Sequence, residues 1–462
     1  CQPGRSVLQE GSIAPEGGKA DRRANERNQS VKAADALTGL TQLHEAQQIV
    51  LAAAPVLGVE KVSIMDVLGR VLGEDIVAER DNPPWDNSAM DGFAVRWEDI
   101  KQEHSIQKPV TLSIIEDVPA GRMPMKTVGP GQAIRIMTGA PMPQGADTVL
   151  KVEDTEPTPE SVRVLKPEPK GANIRPQGED VKKGDCIIAQ GTRIRPGEAG
   201  MLAILAKSLV FVHQRPRVAI LSTGDELADL DERFSEEKII NSNSYGIAAA
   251  VQEAGGIPLL LGIARDTPVA LKEKISQGLN ADILVLSGGV SMGDYDFTKA
   301  VFRELGAEMN FWKLAIRPGQ PLAFGLIQGK LAFGLPGNPV SSMVTFEQLV
   351  RPALLKMSGC RSYGRPVLQA IFQEKFSKRT DRRHFLRGIL TREDGAFNVR
   401  TTGDQGSGIL TSMVKANCLI DVPVEVERLN PGDEVTVQLL SGEAWLAKTE
   451  HVHSGAHRLS CC

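Results

Sequence analysis

Cysteine is scarce in this chain of 462 residues, and no two cysteines form a CxxC pair. Three of the six cysteines lie at the extreme ends of the chain. This usage excludes a disulfide framework and a structural zinc site of the CxxC type, and it predicts a reducing, cytoplasmic environment. Long apolar runs are also missing, because no stretch approaches the roughly 20 residues of a membrane-spanning helix. We therefore expect no membrane association.

An excess of one charge is absent as well. The chain contains 53 Lys and Arg residues against 57 Asp and Glu residues, which gives a formal net charge of −4. A dedicated nucleic-acid binder usually has a clear excess of basic residues, so we expect no nucleic-acid partner. At roughly 150 residues per domain the length predicts about three domains.

Both ends of the chain have the composition of disordered tails. Residues 1–37 are polar, mixed in charge and free of aromatic side chains, so this segment cannot bury enough apolar surface to fold. Residues 448–462 contain three histidines together with Cys461 and Cys462, which could bind a metal adventitiously or resemble a prenylation end. Cys1 could carry a lipid, although a truncated start is the expectation. We predict a disordered tail at each end.

The pattern of apolar residues changes twice along the chain. Between about residues 80 and 180, Pro and Gly separate short apolar runs, which is typical of a small all-β domain. Residues 215 to about 360 alternate apolar strands with amphipathic helices, which implies a parallel sheet covered on both faces. From about 365 short alternating strands return and predict a β-barrel or sandwich. Upstream, a helix is expected from Thr41, as its N-cap, to Pro55.

Three of the α/β strands run into glycine-rich or polar loops, in LSTGDEL, SGGVSMGDYD and LPGNPVSS. Ligands of open parallel sheets bind at the carboxyl ends of strands, and glycine lets backbone N–H groups approach a phosphate. The loops therefore predict a phosphorylated ligand, although each alone could be a tight strand-to-helix turn. The candidate binding residues are Ser222, Thr223, Gly224, Asp225, Ser287, Gly288, Gly289, Ser291, Gly293, Pro336, Gly337, Asn338, Pro339 and Ser341.

Known nucleotide-binding signatures are absent from these loops. No GxxxxGK[ST] pattern is present, which argues against a P-loop NTPase, and SGGVSMG does not match GxGxxG in register. The loops instead carry or adjoin the acids Glu226, Asp266 and Asp296. Because an acid beside a phosphate needs a cation, these carboxylates predict a Mg²⁺ site. The alternative is that they are helix caps or solvated turn residues.

A second polar cluster lies in the β-rich region, in PPWDNSAMDGFAVR, and includes Asp86, Asn87 and Asp91. Thr138, in RIMTGAPMPQGAD, belongs to another such segment. Turns commonly contain several short polar side chains, so the residues alone leave open whether these segments are functional or structural.

Eight motifs of this chain resemble, in their order, those of molybdopterin molybdenumtransferases, the MoeA family, which is related to the gephyrin E domain and the plant molybdenum insertase. The resemblance covers about residues 38 to 447. The motifs are DNSAMDGFAV, TGAPMPQGAD, GANIRPQGED, LSTGDEL, SGGVSMGDYDFTK, FWKLAIRPGQPLAFG, LPGNPVSS and TTGDQGSGIL.

The resemblance implies a multidomain α/β plus β fold. Its parts would be a central parallel-sheet α/β domain of the MoaB/Mog type, an inserted β-rich domain, an elongated linker domain and a C-terminal β-barrel. It also implies a homodimer whose site is shared between subunits. The expected boundaries are 38–76 with 178–214 for the linker domain, 77–177 for the inserted domain, 215–364 for the molybdopterin-binding α/β domain and 365–447 for the barrel.

The resemblance further implies an activity, namely insertion of molybdate into the dithiolene of adenylylated molybdopterin with Mg²⁺-dependent release of AMP. The molybdopterin adenylyltransferase is a possible partner. Arg387 and Ser407 match positions implicated in molybdate binding, whereas the residues alone would make Arg387 a surface arginine. By motif position, the catalytic residues would be Asp91, Thr138, Glu226, Asp266, Asp296, Lys313 and Arg317.

The chain departs from the family at two basic positions. Arg317 and Gln320 stand where lysines are usual, and arginine holds an oxyanion with a different geometry from lysine. Three other functions are compatible with parts of this pattern. A molybdopterin adenylyltransferase shares the α/β domain but normally lacks the inserted and C-terminal domains, and a gephyrin-type scaffold usually carries a fused domain and a long linker. A tungstate-preferring insertase is compatible with every residue.

Overall fold

The computed structural model describes residues 39–101, 110–232, 236–289, 295–393 and 395–440. These residues form two units, one containing the described residues up to Gly58 and from Gln214 onward, the other those within Val59–His213. The predicted tails, 1–37 and 448–462, lie outside the described residues. Among the described residues, no helix is long and apolar enough to cross a membrane.

The first unit contains a six-stranded mixed sheet. Its four parallel strands confirm the predicted parallel sheet, and two antiparallel strands extend it at one edge. The antiparallel edge arises from a two-residue turn, Gln328–Gly329, in which both residues have positive φ. In sheet order the strands are Ile257–Ala264, Arg217–Thr223, Ile283–Ser287, Lys330–Leu335, Pro321–Ile327 and Glu308–Lys313.

Helices cover both faces of this sheet. Alternate residues of one strand face opposite ways, so that Ile220 packs in one core and Leu221 in the other. The helices are Ser242–Glu253, Pro268–Gly278, Tyr295–Glu304, Pro339–Thr345 and Arg351–Met357, the last two joined by a π-helical turn, Phe346–Val350.

The N-terminal helix spans Leu43–Ala53 and also packs in this unit, through Leu43, Ala46 and Val50. Its N-cap is Gln42, not the predicted Thr41. The Thr41 N–H donates to the Lys313 carbonyl at 3.0 Å, so this residue extends the sheet edge instead of capping the helix. Residues 39–58 thus belong to the unit of the α/β sheet. The linker domain of residues 38–76 and 178–214 stays a prediction.

A closed five-stranded barrel follows the α/β sheet, as expected for the C-terminal domain. The long strand Arg383–Glu393 closes it by pairing with strands on both sides, Ala396–Thr401 and Cys418–Val422. The other two strands are Val367–Phe372 and Glu434–Leu439. A short strand, Ile316–Arg317, leaves the α/β sheet and pairs in parallel with Arg383 and His384. Small elements nearby are Leu227–Ala228, Ile239–Ile240, Phe376–Ser377, Thr411–Lys415 and Arg428–Leu429.

The second unit is rich in short strands, as the spacing of Pro and Gly predicted. One six-stranded sheet contains Thr148–Lys151, Gly92–Val95, Gln132–Ile136, Thr111–Val118, Ser161–Val164 and Thr155–Pro157 in this order. The segment GEAGMLAILA contains the helix Pro196–Ile204. Paired short strands complete the unit: Val59–Ser63 with Leu209–His213, Ile76–Val77 with Cys186–Ile188, and Asn87–Ser88 with Ile174–Arg175. Its remaining short helices are Ile64–Asp66, Trp97–Ile100 and Val152–Asp154.

A buried ion pair links the π-helical turn to the start of the barrel. Arg365 donates to both carboxylate oxygens of Glu347, at 2.8 and 2.9 Å, and the two side chains are 10% and 5% exposed. We expect Arg365→Met to reduce the free energy of unfolding by up to about 3–5 kcal/mol, because the buried Glu347 carboxylate then retains only the longer contact to Arg351, at 3.8 Å, among its described ion pairs. Denaturant unfolding of the full chain measures this. Lys272→Met, which breaks an exposed pair with Glu304, serves as control and should change it by less than about 1 kcal/mol. Equal losses would contradict the buried pair's importance.

Candidate active site

A cavity of about 410 Å³ opens at the carboxyl ends of the parallel strands of the first unit. This first cavity is the place where the glycine-rich loops were expected to meet. Twelve of the residues selected from the sequence line it: Ser222, Thr223, Gly224, Glu226, Asp266, Ser287, Gly288, Gly289, Pro336, Gly337, Asn338 and Pro339. Strand geometry explains this convergence, because parallel neighbours end at the same edge of a sheet.

Two carboxylates face this cavity from neighbouring loops. The Thr223 hydroxyl donates to Asp266 Oδ1 at 2.7 Å, which fixes the orientation of that carboxylate. Glu226 packs against the backbone of Gly224, whose φ is +147°. A Cβ at position 224 would lie 2.5 Å from Glu226 Oε2, so only glycine allows the carboxylate to approach the loop this closely.

The second loop approaches the first through another glycine. Gly288 has a φ of +93°, and a Cβ there would lie 2.7 Å from the Thr223 carbonyl oxygen. A side chain at this position would therefore push the two loops apart. The close approach leaves backbone, and not side chains, along this wall of the cavity, as a ligand with bulky phosphate groups requires.

Asn243 holds the second and third loops together and was missed from the sequence. Its Nδ2 donates to Ser287 Oγ at 2.8 Å and to the Gly337 carbonyl at 2.7 Å. Asn243 lies in the first turn of the helix Ser242–Glu253, whose N-cap is Asn241. The polar run NSNSYG ahead of an apolar helix is a capping pattern, and it could have identified this segment. The helix N-terminus adds backbone N–H groups that favour an anionic ligand.

Several selected residues lie elsewhere. Asp225 is exposed and faces Arg265, with 3.8 Å between Oδ1 and Nη1, because the Gly224 turn directs it away from the cavity. Ser341 is buried inside its helix, where its carbonyl accepts from Thr345 Oγ1 at 2.8 Å. Lys313 ends an edge strand, and it is absent from the described lining of either cavity. Ser291 and Gly293 lie outside the described residues, as does the side chain of Asp296 in the helix Tyr295–Glu304.

The donor set in the first cavity partly fits Mg²⁺. Within the described part of the chain, no group of three or more His, Cys, Asp or Glu residues could hold a metal. Glu226 and Asp266 nevertheless both line the cavity. One or two carboxylates are what Mg²⁺ takes from a protein when substrate phosphates and water supply its other oxygen ligands. The residues therefore fit the ion only in the company of a phosphorylated ligand.

A second cavity, of about 620 Å³, lies between the barrel and the short strand Ile316–Arg317. We call it the arginine pocket. Its titratable lining residues are Arg317, Lys378, Arg379, Asp381, Arg382, His384, Arg387 and Asp404. Sequence reasoning found only Arg317 and Arg387 of these, although the basic run KRTDRRH marks most of the others.

Arg387 is the buried centre of the arginine pocket. Its side chain is 1% exposed, with Nε donating to Ser412 Oγ at 3.0 Å and Nη2 to the Gly406 carbonyl at 3.2 Å. Among the described residues it makes no ion pair, so its charge is held only by neutral oxygens. Burial lowers the pKa of Arg387 to about 10, against the opposing effect of Asp404. The guanidinium is thus still charged at neutral pH and stands ready for an anion.

The two cavities adjoin at a hydrogen bond between the α/β sheet and the barrel. Asn338 Nδ2 donates to Ser407 Oγ at 3.0 Å, and the Val340 N–H donates to the Ser407 carbonyl at 3.1 Å. Asn338 lines the first cavity, and Gly406, the neighbour of Ser407, lines the arginine pocket. Ser407 therefore stands between the sites expected for a phosphorylated ligand and for an oxyanion.

Asp91 and Thr138 lie together in the second unit. The Asp91 carboxylate accepts from the Thr138 N–H at 2.7 Å and from its hydroxyl at 2.8 Å. These hydrogen bonds lower the pKa of Asp91 below its usual value, so the carboxylate is ionised and oriented at neutral pH. Pairing of Gly92 with Ile136 brings the two residues together.

Solved structures and curated relatives with this architecture are known. A molybdopterin biosynthesis MoeA protein from Pyrococcus horikoshii superposes with a TM-score of 0.75 at 34% identity, over 87% of this chain and 100% of that chain. A molybdopterin molybdenumtransferase from Nostoc is 37% identical over 384 residues, 82% of this chain and 88% of the relative. The chain belongs to the molybdopterin molybdenumtransferase family. A member from Haemophilus influenzae is 36% identical and covers 82% of this chain.

Three family models together match most of the chain, and the curated relatives identify the family as one of transferases. The model of the MoeA N-terminal region, domains I and II, matches residues 41–206, and that of the C-terminal region, domain IV, matches 369–440. A probable molybdopterin binding domain matches 219–356. The likeness thus includes the domains that a molybdopterin adenylyltransferase normally lacks. A Pyrococcus furiosus molybdenum cofactor biosynthesis protein, 23% identical with a TM-score of 0.54, shares the fold.

The environment of His384 in the arginine pocket makes the stability of the protein depend on pH. Burial, with the charges of Lys378 and Arg317, lowers the pKa of His384 from 6.5 to about 4, against the opposing effect of Asp381. The unfolded chain therefore binds a proton between these pH values that the folded chain does not, and stability falls as pH drops through this window. We expect the melting temperature to fall less between pH 7 and pH 5 in His384→Gln than in the unchanged protein. Equal falls would show that His384 titrates normally.

Proposed function

We propose that this chain inserts molybdate into the dithiolene of adenylylated molybdopterin and releases AMP. The observation that carries the proposal is the pair of adjoining cavities, one suited to a phosphorylated pterin and the other to a tetrahedral oxyanion, with Ser407 between them. The molybdopterin binding and MoeA family models, and the names of the relatives, support the choice of substrates.

The phosphorylated part of the substrate binds in the first cavity. The glycine loops present backbone N–H groups, and Asn243 keeps the loops around Ser287 and Gly337 at a fixed separation. Glu226, Asp266 and Asp296 would hold Mg²⁺, which supplies charge neutralisation at a phosphoanhydride when bound. The hydrogen bond from the Thr223 hydroxyl fixes the orientation of the Asp266 carboxylate, so that this acid can orient an attacking oxygen.

Molybdate binds in the arginine pocket, next to the site of the dithiolene. Arg387 presents a buried, charged guanidinium that no protein carboxylate neutralises among the described residues, and an oxyanion supplies the missing charge. Ser407 accepts from Asn338 and therefore keeps its own O–H for donation to an oxyanion. Arg317 lines the same pocket.

The remaining parts of the proposal follow the family resemblance. We place the reaction in the cytoplasm, in a homodimer, with Asp91 and Thr138 of one subunit acting on the ligand bound by the other. The molybdopterin adenylyltransferase is the expected source of the adenylylated substrate. The direct test is to incubate the purified protein with adenylylated molybdopterin, Mg²⁺ and molybdate, and to measure AMP and active cofactor. Folded protein that releases no AMP would overturn the proposal.

Arg387→Ala tests the oxyanion site. Each charge-assisted hydrogen bond to molybdate contributes roughly 1.5–3 kcal/mol, so the molybdate concentration for half-maximal rate should rise at least about tenfold. The binding of the pterin, measured by its co-elution with the protein in gel filtration, should stay nearly unchanged. Arg392→Ala, an exposed arginine on the same strand, is the matched control and should have no effect. Equal loss of pterin binding would show that Arg387 serves the pterin or the barrel.

Mixed subunits test the shared site. Asp91→Asn and Asp266→Asn should each be inactive, because one lacks the second unit's carboxylate and the other lacks an acid of the first cavity. After verified 1:1 subunit exchange about half of the dimers are heterodimers, and each contains one intact site of two. The activity of the mixture should therefore return to up to about a quarter of that of the unchanged dimer. A mixture as inactive as its parents would count against a site built from two subunits.

A further inference from the structure

An amide and an arginine meet where the α/β sheet joins the barrel. The turn after Arg317 ends at Gln320, whose side-chain oxygen accepts a hydrogen bond from Arg382 Nη1. Arg382 also donates through Nε and Nη2 to Asp381, at 3.0 and 2.8 Å. The Arg382 side chain is 23% exposed and lines the arginine pocket. Gln320 thus holds a barrel guanidinium without neutralising its charge.

The backbone around Arg382 is fixed as well. Lys378 Nζ donates to the carbonyls of Arg382 and Val424, at 3.1 and 3.0 Å. The neighbouring Arg383 N–H donates to the Ala315 carbonyl at 3.0 Å, next to the short parallel pairing. Lys378 therefore has a structural role. Arg382 is the guanidinium that its neighbours fix in position at the partly exposed edge of the arginine pocket, which we call the rim. Preorganisation of this kind lowers the entropy lost when an anion binds.

The charges around the pocket favour an anion. Five cationic side chains line it, against the two carboxylates Asp381 and Asp404. Asp381 pairs with Arg382 from a side chain that is 44% exposed, so solvent screens this pair strongly. Burial is the largest cause of the lowered pKa of His384, and the charges of Lys378, Arg317 and Arg382 lower it further against the opposing effect of Asp381.

We propose that Arg382 is an oxyanion-binding residue of the arginine pocket, acting together with Arg387, and that Gln320 is the positioning residue that aims it. This inference rests on the proposed function, because it names further residues for its oxyanion. Arg387 supplies a buried charge from the wall of the barrel, and Arg382 supplies a second charge at the rim. The loop of the α/β sheet that carries Gln320 and Arg317 thereby helps to set the affinity of a barrel site.

The test measures AMP release against molybdate concentration for five proteins: the unchanged chain, Arg382→Gln, Gln320→Met, the double variant and Arg392→Ala. Arg382→Gln removes the charge and keeps an amide that can still donate to Gln320. We expect the KM for molybdate to rise at least about fivefold in Arg382→Gln and about two- to threefold in Gln320→Met, with kcat and the melting temperature nearly unchanged. Arg392→Ala should match the unchanged chain.

Coupling between the two residues is the decisive readout. If Gln320 acts through Arg382, the double variant should have the same KM as Arg382→Gln alone. Sulfate, a tetrahedral dianion, should compete with molybdate less well in both single variants. A KM that does not change in Arg382→Gln would overturn the inference, as would multiplicative effects in the double variant. A fall in kcat and melting temperature without a change in KM would make the pair structural.

Failure of the proposed function gives a different result. In that case the unchanged chain releases no AMP in response to molybdate, and no variant can be compared. If Arg387→Ala raises the KM and Arg382→Gln does not, the oxyanion site stands and the role of Arg382 alone is rejected.

Discussion

The short parallel pairing of Ile316 and Arg317 with Arg383 and His384 joins the α/β sheet to the barrel. Here the chain that follows the edge strand of the α/β sheet pairs with a strand of the barrel. Phe385 and Leu419 of the barrel continue the α/β core directly behind it, so the joint is apolar as well as hydrogen-bonded. Both cavities depend on this joint, because Pro321 reaches the first cavity and Arg317 the arginine pocket from one continuous segment.

The sequence was sufficient where the chemistry is local. The loops around Gly224, Gly288 and Gly337 follow strands directly, and their convergence on one cavity follows from the rule for parallel sheets. Which of the adjacent acids Asp225 and Glu226 faces the cavity could not be predicted from the sequence. It depends on the φ of Gly224, which directs one carboxylate into the cavity and the other toward Arg265.

Long-range contacts account for what the sequence did not reveal. Asn243 reaches partners 44 and 94 positions away, and Gln320 meets Arg382 across 62 positions. No local pattern encodes such pairs. The residues alone made Arg387 a surface arginine. It is buried because it shares a face of the strand Arg383–Glu393 with Phe385, and that face of the barrel is covered by the α/β core instead of solvent. The antiparallel edge of the sheet likewise depends on the turn at Gln328–Gly329, which the apolar pattern does not show.

Ser407, which lies between the two cavities, couples the binding of one substrate to the binding of the other. Its hydroxyl and its carbonyl both accept from the segment Asn338–Val340, so this segment and the barrel loop cannot move independently. A ligand that displaces Asn338 removes the hydrogen bond that Ser407 accepts, and an oxyanion that accepts the Ser407 O–H strengthens that same hydrogen bond. Thermodynamic reciprocity then requires that each substrate change the affinity for the other by the same factor. The free energy of the complex with both substrates is therefore the same whichever substrate binds first.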